Sequence, residues 1–241
     1  MARLSICVAA VALISGGVAF AHWDVGDLYK MHYPQLPDET GWDVYAEWPK
    51  GIADDWLCTE SGYVEDIHFW GSWKDDIVGY TGQVYIGIYD NDTSGFFAKP
   101  GDVLWEHTFT QNDYTSRLYG TGEQGWYHPE IGYILNDHEN IYQYNIDLIP
   151  DPFYQEEGNT YWLMISMDYY DCYWGWKTSK SEQFGADAVY YGWVDYQWCA
   201  YELYDPITYE SLDMAFVITP EPTSLLLLAM GATVVLKRQR K

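Results

Sequence analysis

Short apolar runs separated by turn residues fill most of this chain. Residues 83–89 (QVYIGIY) alternate between two faces, the period-two pattern of a half-buried strand, and residues 161–167 are apolar nearly throughout, as in a central strand. Between residues 22 and 219, no stretch keeps helical periodicity for three turns. The pattern predicts strands over residues 64–70, 83–89, 103–110, 141–146, 161–167, 189–194 and 212–218.

Seven to ten short strands in one segment of this length predict a single all-β domain over residues 22–219. We expect an antiparallel β-sandwich, jelly-roll-like in its connections. Residues 22–51 contain Pro34, Pro37 and Pro49, so we expect this part to cross the surface as an extended arm.

The two ends of the chain have different patterns. Residues 1–21 carry one basic residue, an apolar run and a small-x-small ending, which predicts a secretory signal peptide cleaved by signal peptidase after Ala21. Residues 225–236 carry no charge, so a short transmembrane helix is expected within 220–241. The basic cluster that follows is expected to end the membrane span and to stay in the cytoplasm. It consists of Lys237, Arg238, Arg240 and Lys241.

The triplet Pro220, Glu221 and Pro222, the apolar run and the basic end together resemble the PEP-CTERM sorting signal of Gram-negative bacteria. The resemblance implies an inner-membrane-anchored precursor, processing near the triplet by an exosortase, and delivery to the cell envelope or extracellular matrix. Proteins with this signal often accompany exopolysaccharide production. A plain membrane anchor is the alternative.

Several distinctive aromatic motifs lie between the two ends. They include 53–58 (ADDWLC), 67–73 (IHFWGSW), 125–127 (GWY) and 175–179 (GWKTS). In this order they resemble an uncharacterised exported bacterial domain of unknown function. The resemblance implies no assigned activity and no catalytic residues.

The charge balance limits the partners. The formal net charge is −24, and both end segments are basic, so the domain between them is more acidic still. Such a surface repels phosphate backbones, which excludes nucleic acid as a partner. It also repels anionic polysaccharide unless divalent cations bridge the two.

Aromatic residues are unusually frequent, with 13 tryptophans and 24 tyrosines. Exposed rings could form a platform for sugar rings, and the best candidates are Trp174, Trp176, Trp193 and Trp198. The alternative is that these rings fill the core and its rim, as aromatics usually do.

Asp90, Asp92 and Ser94 follow a predicted strand and place oxygens at alternate positions before a glycine, as in a calcium-binding loop. Asp, Asn and Gly also form ordinary hairpin turns, so a plain turn is the alternative. Calcium is the one cofactor that the sequence suggests.

Three cysteines remain after removal of the signal peptide, and an oxidising compartment permits one disulfide and one free thiol. Cys172 with Cys199 is the first choice, because both lie in the C-terminal half. The sequence does not establish the pairing.

No nucleophile elbow, phosphate loop or zinc spacing is present. We therefore expect a non-enzymatic surface module associated with extracellular polysaccharide. One alternative is a glycan-active hydrolase or lyase using paired acids such as Asp54 and Asp55. Another is a purely structural envelope protein.

Overall fold

The computed structural model describes residues 22–219, apart from 148, 181–182 and 195–196, and gives only the backbone at 81, 193–194 and 197–198. The predicted signal peptide and sorting tail therefore lie outside the described residues. Within the described part there is no α-helix, and no helix is long and apolar enough to cross a bilayer.

The described residues form fourteen strands and one 3-10 turn at Lys74–Asp76. The strands are β1 (Trp42–Tyr45), β2 (Gly51–Leu57), β3 (Gly62–Tyr63), β4 (Asp66–Trp73), β5 (Tyr80–Asp92), β6 (Lys99–Thr110), β7 (Thr115–His128), β8 (Gly132–Ile146), β9 (Tyr154–Gln155), β10 (Thr160–Tyr170), β11 (Trp174–Lys177), β12 (Val189–Val194), β13 (Gln197–Glu202) and β14 (Phe216–Thr219). This confirms the predicted all-β class.

Two six-stranded sheets carry the fold. One sheet is open and has the order β13-β12-β2-β10-β5-β6. The other sheet has the order β11-β1-β7-β8-β4-β14, and its strand β11 also pairs with β4. That extra pairing closes β11, β1, β7, β8 and β4 into a five-stranded barrel, so the two open layers of a sandwich or jelly roll are not confirmed.

The closure of the barrel depends on a glycine. On β4, a Cβ at Gly71 would lie 2.3 Å from the indole of Trp174 and 2.4 Å from the carbonyl oxygen of Gly175. Only a residue without a side chain lets β11 approach β4 this closely.

The predicted surface arm is partly buried instead. Trp23 and Met31 are in the core, and β1 pairs in parallel with β7 and antiparallel with β11. A parallel partner contributed from a distant segment gives no local sequence signal, which explains why β1 was not predicted.

The main hydrophobic core joins the two sheets. Trp56 of β2 meets Phe216 of β14 with ring centroids 6.2 Å apart, and Phe216 meets Trp176 of β11 at 6.0 Å. Trp174 and Trp176 are fully buried, and their indole nitrogens donate to the Tyr144 hydroxyl and the Ala215 carbonyl.

The predicted sugar platform is therefore wrong at Trp174 and Trp176, because a fully buried ring has no face left for a ligand. Trp193 and Trp198 are backbone partners on β12 and β13, and their side chains lie outside the described part. Their role in a platform stays a prediction.

The predicted disulfide is also not formed. Cys58, Cys172 and Cys199 are free thiols. Cys172 lies in the turn after β10, whereas Cys199 is on β13, and strands β12 and β2 separate β13 from β10. Neighbouring strands are about 4.8 Å apart, so three strand spacings exceed the roughly 7 Å that a disulfide spans between Cα atoms.

Candidate functional site

A cavity of about 450 Å³ opens at one end of the barrel, and we refer to it as the aromatic pocket. Four segments surround it: the chain around β1, the 3-10 turn after β4, the β7–β8 hairpin and the turn between β10 and β11. Its lining includes Tyr45, Glu47, Trp126, Tyr133 and Tyr173.

Aromatic rings form both the floor and the walls of this pocket. Tyr45 stacks on His128 with centroids 4.1 Å apart, and Trp126 packs edge-on against Tyr45 at 6.4 Å. Of these floor rings, Tyr45 and Trp126 are buried and His128 is half-buried, whereas Tyr133 is 46% exposed and Tyr173 is 52% exposed. Tyr173 lies 6.5 Å from Trp126, so an exposed ring stands beside a fixed one.

The polar groups of the pocket can exchange hydrogen bonds with hydroxyl groups. The Tyr45 hydroxyl donates to the Glu47 carboxylate, and burial followed by this bond raises the pKa of Tyr45. Burial and the nearby Lys50 lower the pKa of His128, so its ring is neutral at pH 7. The Glu130 amide donates to Nδ1 of His128, which leaves the proton on Nε2.

Lys74 brings a positive charge to the pocket rim. Its Nζ donates to Asp75 at 2.6 Å and lies 3.7 Å from Asp137. The hydrogen bond with Asp75, and then the charge of Asp137, raise the pKa of Lys74. The ammonium is already paired, so it does not make the pocket attractive to a polyanion.

Beneath the pocket floor, a buried polar cluster receives one side chain from each barrel strand. Its members are Asp43 (β1), Ser72 (β4), Gln124 (β7), His138 (β8) and Lys177 (β11). Asp43 binds His138 across β7, at 2.8 Å, and Ser72 donates to Gln124 across β8, at 3.1 Å. Bonds between strands that are not neighbours place these side chains inside the barrel.

The charged members of the cluster compensate one another. Lys177 Nζ lies 3.0 Å from Asp43 Oδ2, and His138 is held between Asp43 and Asp137. Burial alone would raise the pKa of Asp43, but Lys177 and His138 outweigh it and lower that pKa. Likewise, burial opposes the charge of His138, yet its carboxylate partners raise the pKa.

Burial lowers the pKa of Lys177 more than Asp43 restores it. The side chains of Asp43, His138 and Lys177 have no exposed surface, so they do not touch a ligand. Their role is to hold the barrel and the Trp126 floor, whose ring lies 6.4 Å from His138.

The predicted calcium residues lie at the turn between β5 and β6. Asp90 accepts a hydrogen bond from the amide of Asp102, and Asp92 accepts two from Ser94. These bonds and the Lys99 ammonium, 3.0 Å away, lower the pKa of Asp92 to about 2. Among the described residues, no group of three or more His, Cys, Asp or Glu is placed to bind a metal ion. Calcium binding by this turn stays a prediction.

Asp54 and Asp55 belong to a second buried acidic group. Burial raises the pKa of Asp54 well above its usual value, that of Asp55 to about 8, and that of the nearby Asp213 to about 7. Asp54 accepts from the Gln35 side chain and the Met214 amide. As consecutive residues of β2, Asp54 and Asp55 point to opposite faces, so they do not face one ligand together.

The sequence pattern did not single out most of the aromatic pocket. Its residues come from segments up to 128 positions apart, between Tyr45 and Tyr173, and no local spacing links them. The density of tyrosines near Tyr173 and the motif 125–127 (GWY) were the available signals.

Comparison with known proteins identifies a family. Residues 31–219 match the model of a domain of unknown function, DUF7901, which confirms the resemblance to an uncharacterised domain. No curated protein matches the chain, and no solved structure matches it. The match covers well over half of the chain, which therefore belongs to the DUF7901 family of domains of unknown function.

Proposed function

We propose that this protein is an exported, non-catalytic surface module that binds neutral extracellular polysaccharide in its aromatic pocket. The observation that carries the proposal is the pairing of buried floor rings, Tyr45 and Trp126, with the exposed rings of Tyr133 and Tyr173. Pyranose rings present apolar C–H faces and polar edges. A pocket with aromatic walls and hydrogen-bonding groups complements both.

The charge of the protein supports a neutral ligand. At −24, the chain repels polyanions, and the Lys74 ammonium at the pocket rim is paired with Asp75. Glu47 and His128 supply an acceptor and a donor for sugar hydroxyls.

The pocket also favours binding over hydrolysis. Among the described residues that line it, Glu47 is the one carboxylate, whereas a glycosidase needs two carboxyl groups flanking the scissile bond. A purely structural role would leave the exposed faces of Tyr133 and Tyr173 without a use.

Export and sorting complete the proposal. The sequence supports cleavage after Ala21, exosortase processing near Pro220-Glu221-Pro222 and final location in the cell envelope or matrix. Deletion of residues 222–241 should release the folded domain into the medium, because no membrane-spanning segment would follow it. Immunoblots of medium and envelope fractions test this, and retention of the truncated protein in the envelope would contradict the sorting role.

The binding experiment uses the full chain in a detergent without sugar headgroups. Native gels would contain mixed-linkage β-glucan, galactomannan, dextran or alginate, each with calcium or with EDTA. We expect retardation by at least one neutral polysaccharide in both buffers and none by alginate with EDTA. Retardation that requires calcium would point to the Asp90 turn instead, and absence of retardation in every gel would overturn the proposal.

A further inference from the structure

A second concave site, separate from the aromatic pocket, lies on the outer face of the open sheet. It is a groove of about 360 Å³ over β5, β6 and β10, and we call it the Trp48 groove. The residues used below are Trp48, Tyr85, Tyr89, Glu106 and Thr108.

The groove is lined by aromatic rings, and the ring of Trp48 is exposed. The indole of Trp48 stacks on Tyr85 with centroids 4.2 Å apart and planes 21° from parallel, and Trp48 is still 51% exposed. Tyr89 lies over Gly87, where a Cβ would come within 2.6 Å of its ring. The glycine therefore lets a tyrosine ring lie against the sheet and form the groove floor.

The backbone is hydrogen-bonded to β10 at Trp48 and again at Lys50. The amide of Trp48 donates to the Met167 carbonyl at 3.2 Å, and the Ser166 hydroxyl donates to the Lys50 carbonyl at 2.5 Å. Because its backbone is held and its ring stacks on Tyr85, Trp48 loses little conformational freedom when a ligand binds.

The polar groups lie beside the rings. In the strand register, Thr108 is opposite Tyr85 and Glu106 is opposite Gly87. Glu106 is the one charged residue among the described groove residues, which disfavours an anionic ligand. The aromatic rings of the groove can pack on the C–H faces of a sugar, and its polar groups can accept hydrogen bonds from sugar hydroxyls. The groove therefore also fits a neutral pyranose chain.

We propose that the Trp48 groove is a second binding site for neutral polysaccharide, so that one domain holds two glycan segments. The ligand class rests on the proposed function, but the site does not, because it shares no lining residue with the aromatic pocket. The consecutive residues Glu47 and Trp48 reach into the pocket and the groove respectively, so the β1–β2 connection separates the two sites.

The test is isothermal titration of the full chain, in a detergent without sugar headgroups, with three neutral hexasaccharides: cellohexaose, mannohexaose and isomaltohexaose. The variants are Trp48→Ala for the groove, Tyr173→Ala for the pocket and the double variant. Tyr154→Ala is the matched control, because Tyr154 is 49% exposed and lines neither site. Thermal unfolding checks that each variant is folded, and Trp48→Phe should keep groove binding.

We expect two hexasaccharides per chain for the wild type and for Tyr154→Ala. Each single variant should bind one, with the lost site weakened about tenfold or more, and the double variant should bind none. Two sites persisting in Trp48→Ala, or complete loss of binding in Tyr173→Ala, would overturn the second site. Complete loss in Trp48→Ala with wild-type titration in Tyr173→Ala would instead overturn the pocket and retain the groove.

A wild type that binds none of the three hexasaccharides would overturn both sites. Sedimentation velocity addresses another occupant of the groove, a second copy of the chain. A dimer in the wild type that is lost in Trp48→Ala, with hexasaccharide binding unchanged, would also overturn the proposal.

Discussion

The buried cluster inside the barrel gives the most quantitative expectation, through the substitution Lys177→Met. This change leaves the Asp43 carboxylate buried without its ammonium partner, while methionine fills a similar volume. The two charged atoms are 3.0 Å apart, and their side chains have no exposed surface. At an effective dielectric constant of about 20, such a contact corresponds to about 5.5 kcal/mol.

Methionine carries no charge, so the variant avoids the cost of desolvating the Lys177 ammonium, and this offsets part of that energy. In addition, His138 still binds Asp43. We therefore expect Lys177→Met to lower the free energy of unfolding by about 3–5 kcal/mol, the usual cost of breaking a buried pair. For a domain of this size, this corresponds to a decrease in Tm of roughly 6–20 °C. Unfolding in urea measures the change, because urea is uncharged and does not screen the ion pair.

Lys50→Met provides a matched control, because Lys50 pairs with Glu130 where both side chains are partly exposed, at 24% and 28%. Its expected cost is below about 1 kcal/mol. The double variant Asp43→Asn with Lys177→Met should be more stable than Lys177→Met alone, since no unpaired buried charge remains. Equal stability of Lys177→Met and Lys50→Met would refute the electrostatic reasoning.

Two further changes test the buried carboxyls and the barrel closure. Asp54, Asp55 and Asp213 have raised pKa values in the folded state, so the folded protein holds their protons more tightly. Their stabilisation is complete below about pH 4 and is lost as the pH rises through the folded-state pKa values, which are about 7 for Asp213 and about 8 for Asp55, at up to about 1.4 kcal/mol per pH unit for each group. Urea unfolding from pH 5 to 9 should show this decrease, with a shallower slope for Asp55→Asn; an unchanged slope would show that Asp55 does not contribute. Gly71→Ala should destabilise the domain by about 3 kcal/mol through contact with the Trp174 ring, as measured by thermal unfolding. Its control is Gly120→Ala, where nothing lies within 4 Å of the added methyl group, and equal effects would contradict the packing argument.

The strands that the sequence predicted are those with an apolar face or an apolar run. The predicted strand 189–194 coincides with β12, and those at 83–89 and 161–167 lie within β5 and β10. By contrast, β7 was missed, because it contains three glycines and its inward Gln124 joins a polar cluster. A barrel with a polar interior removes the alternation on which strand prediction depends.

The site was harder to predict than the fold class. Aromatic density indicated that rings would dominate, but density does not separate a core tryptophan such as Trp176 from an exposed one such as Trp48. That difference depends on which sheet face each ring meets, and the covering elements come from distant parts of the chain. The partners of Asp43 are also distant in sequence, with His138 95 positions away and Lys177 134 positions away.

Glycan binding by the aromatic pocket is the central claim, and the affinity change caused by Tyr173→Ala in a Trp48→Ala background tests it most directly. In that background only the pocket can bind, so titration with the three neutral hexasaccharides isolates it. Removal of the Tyr173 ring should weaken binding about tenfold or more, from lost stacking and lost apolar contact. Addition of Tyr154→Ala to the same background should leave the dissociation constant unchanged. Equal dissociation constants with and without the Tyr173 ring would contradict the account.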